Sequence, residues 1–359
     1  MGIKKLNKFL QDKNLIKMHN NIGEYIKSKK GPISTNHVIA VDFMLYFYKF
    51  SYAYESFILG FWNQISFLLA HRIIPIYVFD NKYPMEKSEI ITTRNKKKDN
   101  LKQRLEAIKQ ELEKVVTDIT IDKHIIDFLE KQRNKLEKRI VTINKDTLFT
   151  AMEFFSDLQI PFIRGKTEAD VVCASLYKEG IIVSCLTDDT DLLCYGCESV
   201  ICFQQSKIIE YNLKHILSEL ELSHEQFIEM CLLFGCDYLK PNFKMDIHGI
   251  YKNIKLHKTI KNIINKNIYP EFTTEKCQYF QDKYLDIKQL YQQIEKVNFV
   301  IPSITQVLNS EKIINTLNDY KEINMSKDEK INIQKCILYI NNHISNDMLI
   351  NNEQRKNYK

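Results

Sequence analysis

Three well-separated apolar runs of this chain each end on an aspartate, and that recurrence limits how the chain can fold. HVIAV (37–41) is followed by Asp42, and IIPIYVF (73–79) by Asp80. The third run, IIVSCL (181–186), ends in Thr187-Asp188-Asp189-Thr190-Asp191. Short runs rich in β-branched residues read as buried strands. Taken singly, an acidic turn after a strand is an ordinary solvated loop, with Asp189 or Thr190 capping the next helix. Repetition changes the reading, because groups that follow the strands of an open parallel sheet collect beyond its carboxyl edge. Carboxylates gathered there raise one another's pKa. Hard divalent cations, which take oxygen ligands, are the natural compensation.

The stretches between these runs supply helices. Residues 1–30 read as one helix with a basic end, residues 43–54 as an aromatic helix and residues 57–70 as an apolar one. A helix at 146–157 leads to a short strand at 160–163. The alternation of strand and helix predicts a parallel sheet in an α/β domain. Residues 198–210 read as a β-hairpin, followed by helices at about 212–220 and 223–234, a lysine-rich helical stretch at 241–264 and a helical remainder.

Residues 81–140 differ in character. Lys87, Arg94, Lys96, Lys97, Lys98, Lys102 and Arg104 make the start strongly basic. Leu101, Leu105, Ile108, Leu112, Val115 and Ile119 then recur at helical spacing, and Ile125, Leu129, Leu136 and Ile140 form a second stripe. Two narrow stripes predict a helical hairpin inserted between strands. It serves either as a coiled-coil arm for a protein partner or as a basic arch beside a nucleic-acid site. Lys87 and Arg94, seven residues apart, share a helix face in this reading. Thr167-Glu168-Ala169-Asp170 opens another helix as a loose capping box, and both acids can project from its first turn.

Net charge is +6, too mild to name a partner, so its local distribution carries the argument. The nine cysteines are an odd count without a disulfide-like framework. Cys194-Tyr195-Gly196-Cys197 lacks a second pair at zinc spacing and reads as core thiols. His215, His224, His248 and His257 form no ligand pattern. The charged opening predicts no secretory leader, no run reaches membrane-spanning length, and Leu6 stands where myristoylation of Gly2 needs Ser or Thr. The expectation is a soluble intracellular protein with reduced thiols.

Five segments taken together resemble the flap endonuclease/XPG family of structure-specific 5′ nucleases, from Met1 to about residue 260, with a weaker echo to about 290. VDFMLYFY matches its first acidic motif (Asp42), and YVFDNKYPMEKSEIITTR its second (Asp80, Lys87, Arg94). TEAD supplies Glu168 and Asp170, TDDTDLL supplies Asp189 and Asp191, and GCDY supplies Asp237. The resemblance implies a PIN-like α/β parallel-sheet core with an inserted helical arch and a helix–hairpin–helix lobe. In that outline residues 1–95 and 145–238 form the core, 96–144 the arch, 239–290 a degenerate helix–hairpin–helix lobe and 291–359 a helical extension. It implies two Mg²⁺ ions, with Mn²⁺ as a substitute, held by Asp42, Asp80, Glu168, Asp170, Asp189, Asp191 and Asp237. Lys87 and Arg94 would polarise the scissile phosphate.

Among the other nucleic-acid contacts implied, the opening MGIKKLN brings Gly2 beside the site, and Tyr48 stacks on a nucleotide. Lys96, Lys97, Lys98, Lys244 and Lys252 would meet phosphates. The substrate implied is DNA with 5′ flaps or 5′ ends, cut by a monomer in the nucleus or, for a viral chain, in a cytoplasmic replication factory or virion. RNA is the alternative substrate, and an inactive nucleic-acid-binding scaffold the remaining one. One departure bears on substrate choice. Lys244-Met245-Asp246 stands where the family has a Gly-x-Gly turn for a monovalent cation and duplex phosphates. No sliding-clamp peptide of the glutamine–aliphatic–double-aromatic kind is recognisable.

Overall fold

The computed structural model describes residues 2–29, 37–54, 56–81, 85–116, 123–241, 246–273 and 275–293, together with 297 and 314–315. The chain opens with α1 (Leu6–Asp12), β1 (Lys17–His19) and α2 (Ile22–Ser28). The single helix expected over 1–30 is therefore broken. Asn14, at φ 55, turns the chain out of α1, and Asn21 starts α2 by accepting the Glu24 amide.

The first two aspartate-tipped runs form β2 (His37–Asp42) and β3 (Ile73–Phe79), joined through α3 (Phe43–Ala53) and α4 (Phe57–Ala70). All of β3 is buried, as a strand covered on both faces must be. A 3₁₀ turn, Met85–Lys87, leads into α5 (Ser88–Val116), which packs on α6 (Lys123–Arg139). Leu112, Leu129 and Leu136 are buried in this hairpin. Ile125, expected in its seam, is exposed instead, beside an exposed Phe128, and Ile119 lies outside the described residues.

Then come α7 (Lys145–Asp157), β4 (Phe162–Arg164), α8 (Ala169–Lys178), β5 (Ser184–Leu186) and the short α9 (Asp191–Cys194). The hairpin of β6 (Ser199–Gln204) and β7 (Lys207–Asn212) follows. Last are α10 (Leu213–Leu220), α11 (His224–Phe234), α12 (Ile247–His257), α13 (Ile260–Asn265) and α14 (Glu275–Gln292).

The seven strands form one sheet in the order β1-β7-β6-β5-β2-β3-β4. From β6 to β4 all pairings are parallel, whereas β7 and β1 add antiparallel. The sheet is thus mixed, not wholly parallel. Alternate residues feed two cores, as the period of a strand requires. Ile39, Val41, Tyr77 and Phe79 face the layer of α3, α4 and α7, where Phe43 and Phe79 stack at 4.0 Å and Tyr77 and Phe155 at 4.3 Å. Ala40, Ile76 and Val78 face α1, α8 and α11 on the other side. Among the described residues no helix is long and apolar enough to cross a membrane.

Candidate active site

The strand order explains how acids far apart in the chain meet. Of the adjacent parallel strands, β2 ends at Asp42, β5 and β3 are followed directly by Thr187 and Asp80, and β4 leads into the start of α8 with Glu168 and Asp170. One sheet edge therefore receives six of the seven acids. Asp237 reaches it from the other direction, just past Gly235, whose φ of 90 ends α11.

Each acid has a defined mooring. Asp42 caps α3, with Oδ1 accepting the Leu45 amide at 3.1 Å and Oδ2 accepting the Thr187 hydroxyl at 3.3 Å. Asp80 accepts the Ala169 amide at 2.7 Å and so takes an orphan donor at the start of α8. Glu168 stands at the N-cap position of that helix with its side chain turned elsewhere. Oε1 accepts Lys87 Nζ, and Oε2 accepts the Tyr238 hydroxyl at 2.6 Å. Asp189 accepts the Asp191 amide at 3.1 Å, and its own amide binds Thr187 Oγ1. Asp237 accepts Arg94 Nη2 at 2.5 Å. Asp191 is 1% exposed, and neither of its carboxylate oxygens has a hydrogen-bond partner. Asp188 turns outward to Lys49 at 2.6 Å and takes no part.

Electrostatics marks these groups as one cluster. Burial, then the neighbouring charge of Asp80, pushes Asp42 up to about 7. Burial and then Asp189 raise both Asp170 and Asp191 well above the usual carboxylate range, and burial raises Asp189 and Glu168. Burial alone would lower Lys87, but Asp170 and Glu168 reverse that and hold its ammonium charged. An all-oxygen, mutually repelling donor set that includes a buried, unpartnered carboxylate suits a hard divalent cation. Among the described residues no three acids are gathered into a ready-made ligand set. The moorings above account for this, since Lys87 and Arg94 hold two of the acids and helix starts hold two more.

Lys87 does not share a helix face with Arg94 as expected, because it belongs to the 3₁₀ turn before α5. The two cations still serve one site, at Glu168 and Asp237. Gly2 lies against the acidic turn at φ 88, and a Cβ there would fall on the Asp189 carboxylate and the Thr190 amide. The Ile3 amide donates to Thr190 Oγ1 at 3.1 Å, which fixes that approach. Tyr48 is half-buried, with Arg94 and Asp80 in its electrostatic surroundings. Lys96 and Lys97 are exposed on α5, Lys98 is half-buried there, and Lys252 is exposed on α12. Lys244 and Met245 lie outside the described residues, whereas Asp246 caps α12 by accepting the Gly249 amide at 2.6 Å.

The eight described cysteines are free and buried, Cys194 and Cys197 among them. Sequence reasoning did not single out Thr187, which links Asp42 to Asp189, or Tyr238, whose only local signal was its place after Asp237.

The chain is similar to several known proteins. Residues 1–101 match the family model described as the XPG N-terminal domain, and residues 159–237 match the XPG I-region. Between them the two span half of the chain. A RAD2-like endonuclease of Invertebrate iridescent virus 6 is 25% identical over 315 residues, covering 73% of this chain and 73% of that protein. Flap endonuclease 1 of Cryptosporidium muris is 30% identical over 303 residues, covering 75% of this chain and 59% of its own length. The catalytic core of Rad2, solved in complex with DNA substrate, shares the fold with a TM-score of 0.63 at 18% identity, over 94% of this chain and 100% of that one.

Proposed function

Since the chain belongs to the flap endonuclease/XPG family of structure-specific 5′ nucleases, we propose that its acidic sheet edge hydrolyses DNA phosphodiesters with two divalent ions. The observation that carries this reading is the delivery of acids by neighbouring parallel strands to one edge, where Asp191 has no other partner. Mg²⁺ is the expected ion and Mn²⁺ a substitute. Asp42, Asp80, Glu168 and Asp170 would hold one ion or its water shell, with Asp189, Asp191 and Asp237 on the other side. When bound, the ions supply Lewis acidity and a water of lowered pKa.

The chain's own residues do the rest. Lys87, kept charged among the acids, and Arg94, whose planar fork suits a phosphate, each hold a carboxylate in the free chain. An arriving phosphate gives both cations a new partner. Tyr48, its hydroxyl pushed up by burial and so kept neutral, offers a ring to a base. Lys96, Lys97 and Lys98 line α5 for the backbone of a strand, which they would hold by charge and not by sequence. The substrate is DNA with a 5′ flap or 5′ end, bound by a monomer. The compartment would be the nucleus or a viral replication site.

RNA is the second reading. Its support is Asp246, whose carboxylate takes the Gly249 amide and so withholds that donor from a duplex phosphate.

Incubating the full chain with Mg²⁺ and matched DNA flaps, recessed DNA ends and single-stranded RNA tests both readings, with Asp189→Asn as control. The first expects cleavage of flaps or ends to 5′-phosphate and 3′-hydroxyl products, and a loss of at least about 100-fold in the control. Faster cleavage of RNA transfers the assignment to the second reading. Absence of metal-dependent cleavage of every substrate refutes both.

A further inference from the structure

Behind the acids stands a group of three buried tyrosines. Where α11 ends at Gly235, the chain turns so that Asp237 faces the site and Tyr238, 4% exposed, faces inward. The Tyr238 hydroxyl donates to Glu168 Oε2 at 2.6 Å, and the Lys87 ammonium lies over its ring, 4.7 Å from the centroid. One side chain thus touches both an expected metal ligand and an expected phosphate contact.

Tyr238 is itself held. Its oxygen lies 2.7 Å from the Tyr195 hydroxyl. With the single Tyr238 proton committed to Glu168, Tyr195 must be the donor in that bond. The Tyr195 backbone amide donates to the Asp191 carbonyl at 3.2 Å, which ties the backbone at Tyr195 to the acidic turn. Tyr291, on α14, packs edge-on against both rings, at 5.0 Å from Tyr195 and 5.6 Å from Tyr238. Neither Tyr238 nor Tyr291 falls within the segments matched by the family models.

We propose that Tyr238 is a positioning residue that locks the two halves of the site together, its hydroxyl orienting Glu168 for metal and its ring face seating Lys87 for phosphate, with α14 bracing it through Tyr291. The inference rests on the metal-dependent nuclease reading for the roles of Glu168 and Lys87. A carboxylate with one oxygen fixed by a neutral donor keeps its orientation when Lys87 leaves Oε1 for a phosphate. Without that bond, Glu168 would be free to rotate at the moment the ions need it. Such outer contacts of metal ligands carry about 10–100-fold in metal affinity.

The two functions of Tyr238 separate by substitution. Tyr238→Phe removes the hydroxyl and keeps the ring, and Tyr238→Leu removes both. Calorimetric titration of Mg²⁺ into the full chain without nucleic acid should show about a 10-fold weaker affinity for both variants. With saturating Mg²⁺ and a DNA flap, Tyr238→Phe should recover most of the kcat it loses at limiting Mg²⁺, because excess metal replaces lost affinity. Tyr238→Leu should lose about a further 10-fold in kcat through Lys87, the scale of a desolvated cation–π contact. That further loss should vanish in a Lys87→Ala background. Tyr195→Phe should weaken Mg²⁺ binding in the same direction but less, and serves if Tyr238→Leu does not fold.

Unchanged Mg²⁺ affinity in Tyr238→Phe overturns the proposal. So does an equal kcat for the Phe and Leu variants, or a loss confined to melting temperature in EDTA. A parent chain that binds Mg²⁺ but cuts nothing refutes the nuclease reading alone, and the calorimetric comparison still decides the role of Tyr238.

Discussion

Asp42→Asn should stabilise the metal-free fold, and increasingly so as pH rises. In the folded chain Asp42 titrates at about 7 instead of 3.8, raised by burial and by Asp80. Between those values the folded state holds a proton that the unfolded state has released. Stability must therefore fall as pH rises through that window. At 1.36 kcal/mol per pKa unit, the rise amounts to about 4 kcal/mol when fully developed, of which about 2–3 kcal/mol appears between about pH 5 and about pH 8. Asparagine removes the charge yet still caps α3 by accepting the Leu45 amide, since Asn and Asp are equivalent caps. Urea unfolding of parent and variant in EDTA across that range measures the difference directly. The variant should gain on the parent by about 2–3 kcal/mol over the range, and Mg²⁺ should close much of the gap by stabilising the parent. Parallel pH profiles, or a variant less stable than the parent at about pH 8 in EDTA, would refute the claim that Asp42 is held at an electrostatic cost.

Glu210 gives the opposite sign. Burial would raise it, but Lys29 at 2.5 Å and His19 at 2.9 Å bring it below its usual value, so the stability it contributes is present above the ordinary carboxylate pKa and lost as pH falls through the lowered one. Glu210→Gln should cost about 3 kcal/mol near neutrality and flatten the acid limb of the unfolding profile. Gly2→Ala forces a Cβ onto the acidic turn at a left-handed φ, and should cost about 1–3 kcal/mol in thermal unfolding together with a loss of cleavage. Leu136→Ala should destabilise the α5–α6 hairpin by about 2–5 kcal/mol, seen as faster proteolysis between residues 100 and 140.

What was legible in the sequence followed from locality. Ile73–Phe79 is wholly apolar because β3 is covered on both faces, so the strand and its terminal aspartate could be read directly. Helix α4 was equally plain, with Ser56 capping an apolar run. The edge strand β1 was not legible. It has three residues, two of them exposed, and it exists only through β7, nearly 200 residues later. The pairing of Lys87 with Glu168, the capping of α8 by Asp80 and the seat that Tyr238 provides are likewise contacts between distant segments, set by strand order. Spacing along the chain predicted a shared helix face for Lys87 and Arg94, and a 3₁₀ turn intervened.

The central claim is that acids from β2, β3, the start of α8, the turn after β5 and the end of α11 coexist at one sheet edge as ligands of divalent metal. Anomalous diffraction from a crystal of the full chain grown with Mn²⁺ tests it most directly. The account expects two peaks among Asp42, Asp80, Glu168, Asp170, Asp189, Asp191 and Asp237, with Asp191 oxygens among the ligands. Peaks elsewhere, or a fully ordered acidic edge with no manganese bound, would contradict it.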